Sequence, residues 1–173
     1  MHRTATVVLN IAFLIAMANG TLLAEGKSSS ILDPKLVAKG TGVSGLKWIG
    51  GNEESPLMYP GRDCISCHAK GEGPQYISAG TVYTEIDEKN DDFGVEGVTV
   101  QLTDNKGKIV KMVTNAAGNF MLSKRTVLAM PYTAKIIYKG AENEMASPQS
   151  NGNCMICHSA AGSGGAPGRI VTP

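Results

Sequence analysis

Five short runs between residues 78 and 140 are rich in β-branched and aromatic residues and are set apart by turn signals: AGTVYTEI, GVTVQLTD, KIVKMVTN, GNFML and YTAKIIYKG. Within the second run Val98, Val100 and Leu102 fall on alternate positions and share one face of a strand. TDNKGKI at 103–109 predicts a hairpin, with Gly107 supplying the positive φ that a tight turn demands. TNAAGNF at 114–120 repeats the device with Gly118. Five or more such strands predict a mainly β chain built on a small antiparallel β-sandwich. The acidic run EIDEKNDD at 85–92 reads as a solvated hairpin loop, since it lacks the regular ligand spacing of a calcium loop.

The flanks follow other rules. Residues 1–24 carry Arg3, an apolar run from about Val7 to Met17, then the small residues Ala18, Gly20 and Ala24. Charged end, short apolar core and small-residue exit are the order of an export signal, cut after Ala24 or, as second choice, after Gly20. The run is short of the roughly 20 residues of a membrane span; an uncleaved N-terminal anchor is the alternative. Residues 25–60 are rich in Gly, Ser, Lys and Pro and predict a flexible lead-in, with the single Trp48 packed on something apolar. Residues 61–173 then form one domain: a first motif segment at 61–76, the sandwich at 78–140, and a second motif segment with a Gly/Pro-rich tail at 141–173. Without residues 1–24 the chain has 15 basic against 15 acidic residues, so it lacks the basic excess of a nucleic-acid binder. No further apolar run is long enough to span a membrane.

All four cysteines fall in two matching motifs, CISCH at 64–68 and CMICH at 154–158, which also use two of the three histidines. On a helical turn, residues three and four apart share a face. Cys64 and Cys67 therefore present two thiols to one flat ligand, with the imidazole of His68 beside them, and Cys154, Cys157 and His158 repeat the arrangement. Covalent haem attachment needs this set: two thioethers and one axial imidazole. Asp63 and Asn153 precede the motifs and are both strong N-cap types; Gly71 and Gly162 follow where a short helix would end. Competing uses fit less well. Zinc ribbons space their pairs by about 15–20 residues, whereas 86 separate Cys67 from Cys154. A thioredoxin-like redox pair wants a βαβ context, and a disulfide within C-x-x-C closes too small a loop to stabilise much.

On these motifs the chain resembles c-type cytochromes, and as a whole it is similar to small dihaem cytochromes of bacterial respiratory chains. The stretch GVTVQLTDNKGKIVKMVTNAAGNFML resembles carboxypeptidase regulatory-like, or prealbumin-like, β-sandwich modules over about residues 79–140. The resemblance implies two haem c groups, at Cys64/Cys67 and Cys154/Cys157. It also implies His68 and His158 as axial iron ligands and attachment outside the cytoplasm, with the periplasm the first choice. Redox partner proteins, and other cytochrome subunits, are the implied partners.

The sixth iron positions are open, because without residues 1–24 the chain has no third histidine for them, unless one comes from another subunit. Methionine is the next ligand type. Met58 and Met145 are the favoured candidates, each in a Pro/Gly-containing loop close before its motif; Met112 and Met121 lie on strands and read as packing residues. Tyr59, Tyr76 and Tyr83 are lesser candidates. Arg62 and Arg169 suit haem propionates or a solvated surface. The tail GSGGAPGRIVTP is either floppy or a cover for the second haem. No motif for a separate catalytic reaction appears. Electron transfer is the leading expectation; a haem enzyme or ligand sensor with an open iron position, or a subunit of a larger assembly, are the alternatives.

Overall fold

Val98, Val100 and Leu102 do share a buried face, each at most 1% exposed. They mark strand β4 (Thr99–Asp104), the centre of a four-stranded sheet. The computed structural model describes residues 55–71 and 73–173, plus the backbone of a two-residue antiparallel pair, β1 (Ala38–Lys39) and β2 (Leu46–Lys47). The expected export signal and Trp48 lie outside the described residues.

β4 pairs antiparallel with β5 (Ile109–Val113) and with β7 (Tyr132–Tyr138), and β8 (Ala141–Glu144) completes the order β5–β4–β7–β8. Register puts Met112, Val100 and Ile136 in one row across three strands, and all three are buried. A second sheet orders β6 (Asn119–Ser123), β3 (Tyr76–Tyr83) and β9 (Ile170–Val171). Val82, Phe120 and Leu122 from this sheet meet Val100, Leu102, Met112 and Ile136 from the other in one apolar core. Each such side chain contributes about 1.5–3 kcal/mol on full burial. The molecule is a mainly β sandwich of three and four strands, as the alternation predicts; the short helix α1 (Cys64–His68) lies outside it. Among the described residues no helix is long and apolar enough to cross a membrane.

Four expectations need correcting. The Gly118 turn is not a hairpin: it carries the chain from β5 in one sheet to β6 in the other. Asn115 builds this crossover, its Oδ1 accepting from the backbone of Ala117 and Asn119 at 3.0 and 3.1 Å. The acidic run is not wholly solvated. Glu85 and Asp87 are exposed, but Asp91 and Asp92 are buried, because Arg169, 78 residues on, supplies Asp91 with a buried counter-charge. The tail is not floppy: Ile170 and Val171 pair parallel with Val82 and Tyr83. Finally, the lead-in is tied down over residues 55–60. Asn119 Nδ2 donates to the carbonyls of Pro56 and Met58, and Asn115 Nδ2 also reaches Pro56.

That last packing matters for β3. The segment before α1 covers the outer face of the three-stranded sheet, where Gly61 N–H donates to Thr81 Oγ1 at 2.9 Å and Thr81 Oγ1 donates to Asn119. β3 is therefore buried on both faces from Ser78 to Tyr83.

The two turn glycines give a graded test. Both have φ near +75° (78° and 75°), so alanine at either incurs the left-handed penalty of about 1–2 kcal/mol. A β-carbon at Gly107 meets open space, whereas one at Gly118 would sit 2.5 Å from Gly94 Cα. In guanidinium unfolding, Gly107→Ala is expected to lower stability by about 1–2 kcal/mol and Gly118→Ala by clearly more. Equal losses would contradict the tight crossover.

Candidate functional site

The first motif is a single helical turn. Asp63 is its N-cap, with Oδ1 accepting the Ser66 N–H at 2.9 Å, and the next turn closes from Ala69 N–H to Ile65 O at 2.8 Å. The second motif is a tighter 3-10 turn over Cys154–Ile156, closed by Cys157 N–H to Cys154 O at 3.3 Å, and His158 N–H also donates to Cys154 O at 2.9 Å. The copies share detail. Cys64 Sγ donates to the carbonyl of Arg62, and Cys154 Sγ to that of Gly152, both at 3.5 Å and both two residues back.

The imidazoles match more closely still. His68 Nδ1 lies 2.8 Å from the carbonyl of Pro74, and His158 Nδ1 lies 3.0 Å from the carbonyl of Gly168. A carbonyl oxygen only accepts, so in each ring Nδ1 carries the proton. Nε2 of the neutral ring is left with its lone pair, the form that ligates a metal. A ring nitrogen tied to backbone in this way also fixes ring orientation. The His68 ring packs on Tyr76, with centroids 4.9 Å apart.

Asn153 departs from the expected role, because its side chain makes no cap bond. Nδ2 donates instead to Asp63 Oδ1 at 2.6 Å, joining the two motifs across 90 residues. Both motifs dock on β3: Ala79 N–H donates to Gly152 O at 3.2 Å, Ala79 bridges to Asn153, and Ser78 Oγ lies 3.7 Å from Cys154 Sγ. Burial raises the Asp63 carboxyl, but the Ser66 and Asn153 hydrogen bonds outweigh it and leave the carboxyl below its ordinary value. Burial pushes the Cys64 thiol up to about 11 and raises Cys154 as well. A nucleophilic or redox-active cysteine relies on the opposite shift.

A cleft of about 240 Å³ opens beside the first motif, and Met58, Cys64, His68, Tyr76 and Met121 line it. Met58 thus shares a cavity with the motif it precedes. Met121 was expected only to pack. On β6 its neighbours Phe120 and Leu122 point into the core, so Met121 faces the other way, into the cleft. The signal was present in the sequence, since alternation from a buried Phe120 assigns Met121 the outer face. Met145 does not lie in a free loop. Its N–H continues the β7–β8 ladder, donating to Ala134 O at 2.9 Å, and its side chain packs against the core.

The remaining candidates have other work. Tyr83 is buried and its hydroxyl donates to Asp91 O at 2.9 Å. Arg169 is neither solvated nor turned to the motifs, because it pairs with Asp91 and lies over the Tyr83 ring at 4.2 Å. Arg62 is exposed. Among the described residues no three His, Cys, Asp or Glu side chains are arranged to enclose a metal ion. Each motif offers one imidazole and two thiols along a turn.

Asp63 supplies the test of this joint. Asp63→Ala removes a helix cap and the bond to Asn153, and is expected to lower stability by about 1–2 kcal/mol. The folded carboxyl titrates below its ordinary value near 3.8, so its contribution is present at neutral pH and is lost as pH falls through the folded value. Stability measured from pH 7 to 3 is expected to fall less steeply in Asp63→Ala than in the parent; parallel curves would contradict the joint. Searches for similar proteins add no neighbour to this picture: no family model, no curated protein and no solved structure matches the chain.

Proposed function

We propose that the chain is an exported dihaem c-type cytochrome that carries electrons to and from redox partner proteins. The observation that carries this reading is the repeated arrangement of two thiols on one turn, followed by an imidazole whose Nδ1–H is held by a backbone carbonyl. A single imidazole makes an incomplete metal site, and a haem would bring the iron together with its remaining donors. Haem supplies reversible one-electron chemistry at iron when bound.

The chain's residues have distinct parts in it. Cys64 and Cys67 would hold one haem through thioether bonds, and Cys154 and Cys157 the other. Burial holds the Cys64 and Cys154 thiols above their ordinary values. His68 and His158 would offer Nε2 to a haem iron, and the carbonyls of Pro74 and Gly168 hold their Nδ1 atoms. At the first site Met58 and Met121 offer thioethers in the same cleft. The cleft is smaller than the roughly 300–1,000 Å³ of enclosing pockets, so a haem held there would keep part of its surface in solvent. Cys67 and Ile156 are exposed as well, which suits electron exchange with a docked protein.

The core packing of Met145 favours a second reading at the other iron. With Met145 packed against the core and Met155 inside the attachment turn, that iron would take His158 alone and bind a small ligand. Carbon monoxide binding to half of the reduced haem supports this; no binding supports a six-coordinate pair.

Expression with c-type maturation machinery, followed by pyridine haemochrome and intact mass, tests the proposal. Two covalent haems per chain are expected, and one after Cys154→Ala with Cys157→Ala. A parent chain carrying fewer than two would overturn it.

A further inference from the structure

We infer that the buried Asp91–Arg169 pair is a positioning device for His158, and through it lowers the reduction potential of the second haem. The inference rests on the dihaem reading. Its starting point is connectivity: Arg169 directly follows Gly168, whose carbonyl accepts the His158 Nδ1–H at 3.0 Å.

Arg169 is held from several directions. Its side chain is 2% exposed and donates from Nη2 to Asp91. Nε donates to Glu88 O at 2.7 Å, the guanidinium lies over Tyr83, and the backbone N–H reaches Ile86 O at 3.3 Å. Beyond it, β9 pairs with β3, and Thr172 N–H donates to Tyr83 O at 2.9 Å. The bonds on the near side are local turns, from Gly162 to Ser159 and from Ala166 to Ser163. The position of the Gly168 carbonyl is therefore fixed mainly from its C-terminal side.

Stability alone does not account for such a pair. Replacing a buried ion pair with apolar residues of similar volume is often neutral or stabilising. What the pair adds is direction. A planar guanidinium donating from two sides and stacked on a ring admits one placement, and that placement sets the carbonyl one residue away. A carbonyl drawing on Nδ1–H makes an imidazole a stronger donor to iron, which favours the oxidised form. His68 provides an internal control, because its carbonyl comes from Pro74, far in sequence from this pair.

The test uses the two-haem holoprotein. Arg169→Met removes the charge and keeps the stem. Asp91→Leu with Arg169→Met removes both charges of the pair, so neither is left without the other, and guards against simple unfolding. Redox titration, with waves assigned on the Cys154→Ala, Cys157→Ala protein, is expected to show the second haem's wave moved to higher potential and the first unmoved. The ferric electron paramagnetic resonance signal of the second haem is expected to move with it. Arg169→Lys, which keeps charge but not the planar fork, is expected to shift the wave part-way. Two bound haems with both waves unmoved, both waves moved alike, or loss of both haems in the double variant would overturn the inference. Fewer than two haems in the parent would instead sink the dihaem reading beneath it.

Discussion

A single hydrogen bond, from Asn153 Nδ2 to Asp63 Oδ1, joins two halves of a site that the sequence keeps 90 residues apart. The Asp63 carboxylate also caps α1, so the bond that orders the first turn is shared with the residue that opens the second. It forms because β3 is a common platform: α1 packs on one side of this strand, and the Gly152–Cys154 backbone runs along it. Strand β3 holds both motifs, and the other strands of the sandwich close the core beneath them. Loss of that platform would leave two short turns, each too small to hold its own shape.

The parts of this arrangement that could be read from sequence are those with local rules. Val98, Val100 and Leu102 alternate, so their shared face was legible, as were the hairpin at Gly107 and the buried Met112. The helical turn at Cys64–His68 followed from its spacing and the Asp63 cap. Other features obey rules that act at a distance. β8 is AENE, without β-forming side chains, and is held by pairing to β7. β9 has two residues, too few for any period to show. Asp91 looked solvated because its partner lies 78 residues away. β3 is buried on both faces, so alternation there could not tell inside from outside.

The same distinction runs through the candidate site. The thiols and imidazoles were plain from spacing, whereas the groups that give them direction come from elsewhere: Pro74, Gly168 and Asn153 act through backbone or amide atoms. Met121 illustrates the middle case. Its neighbours fixed its face, yet the meaning of that face depended on residues 55–58 covering the sheet and shaping the cleft. Under the proposed electron-transfer role, these hydrogen-bonded supports would keep ligand geometry constant while charge changed at iron.

The central claim is that the two motifs form one paired site rather than two independent ones. Circular dichroism of the holoprotein in the Soret region reads this directly, because close haems couple their transitions. The account expects a bisignate band that collapses to a single-signed one in the Cys154→Ala, Cys157→Ala protein. A parent spectrum equal to the sum of two single-haem spectra, with no couplet, would contradict it.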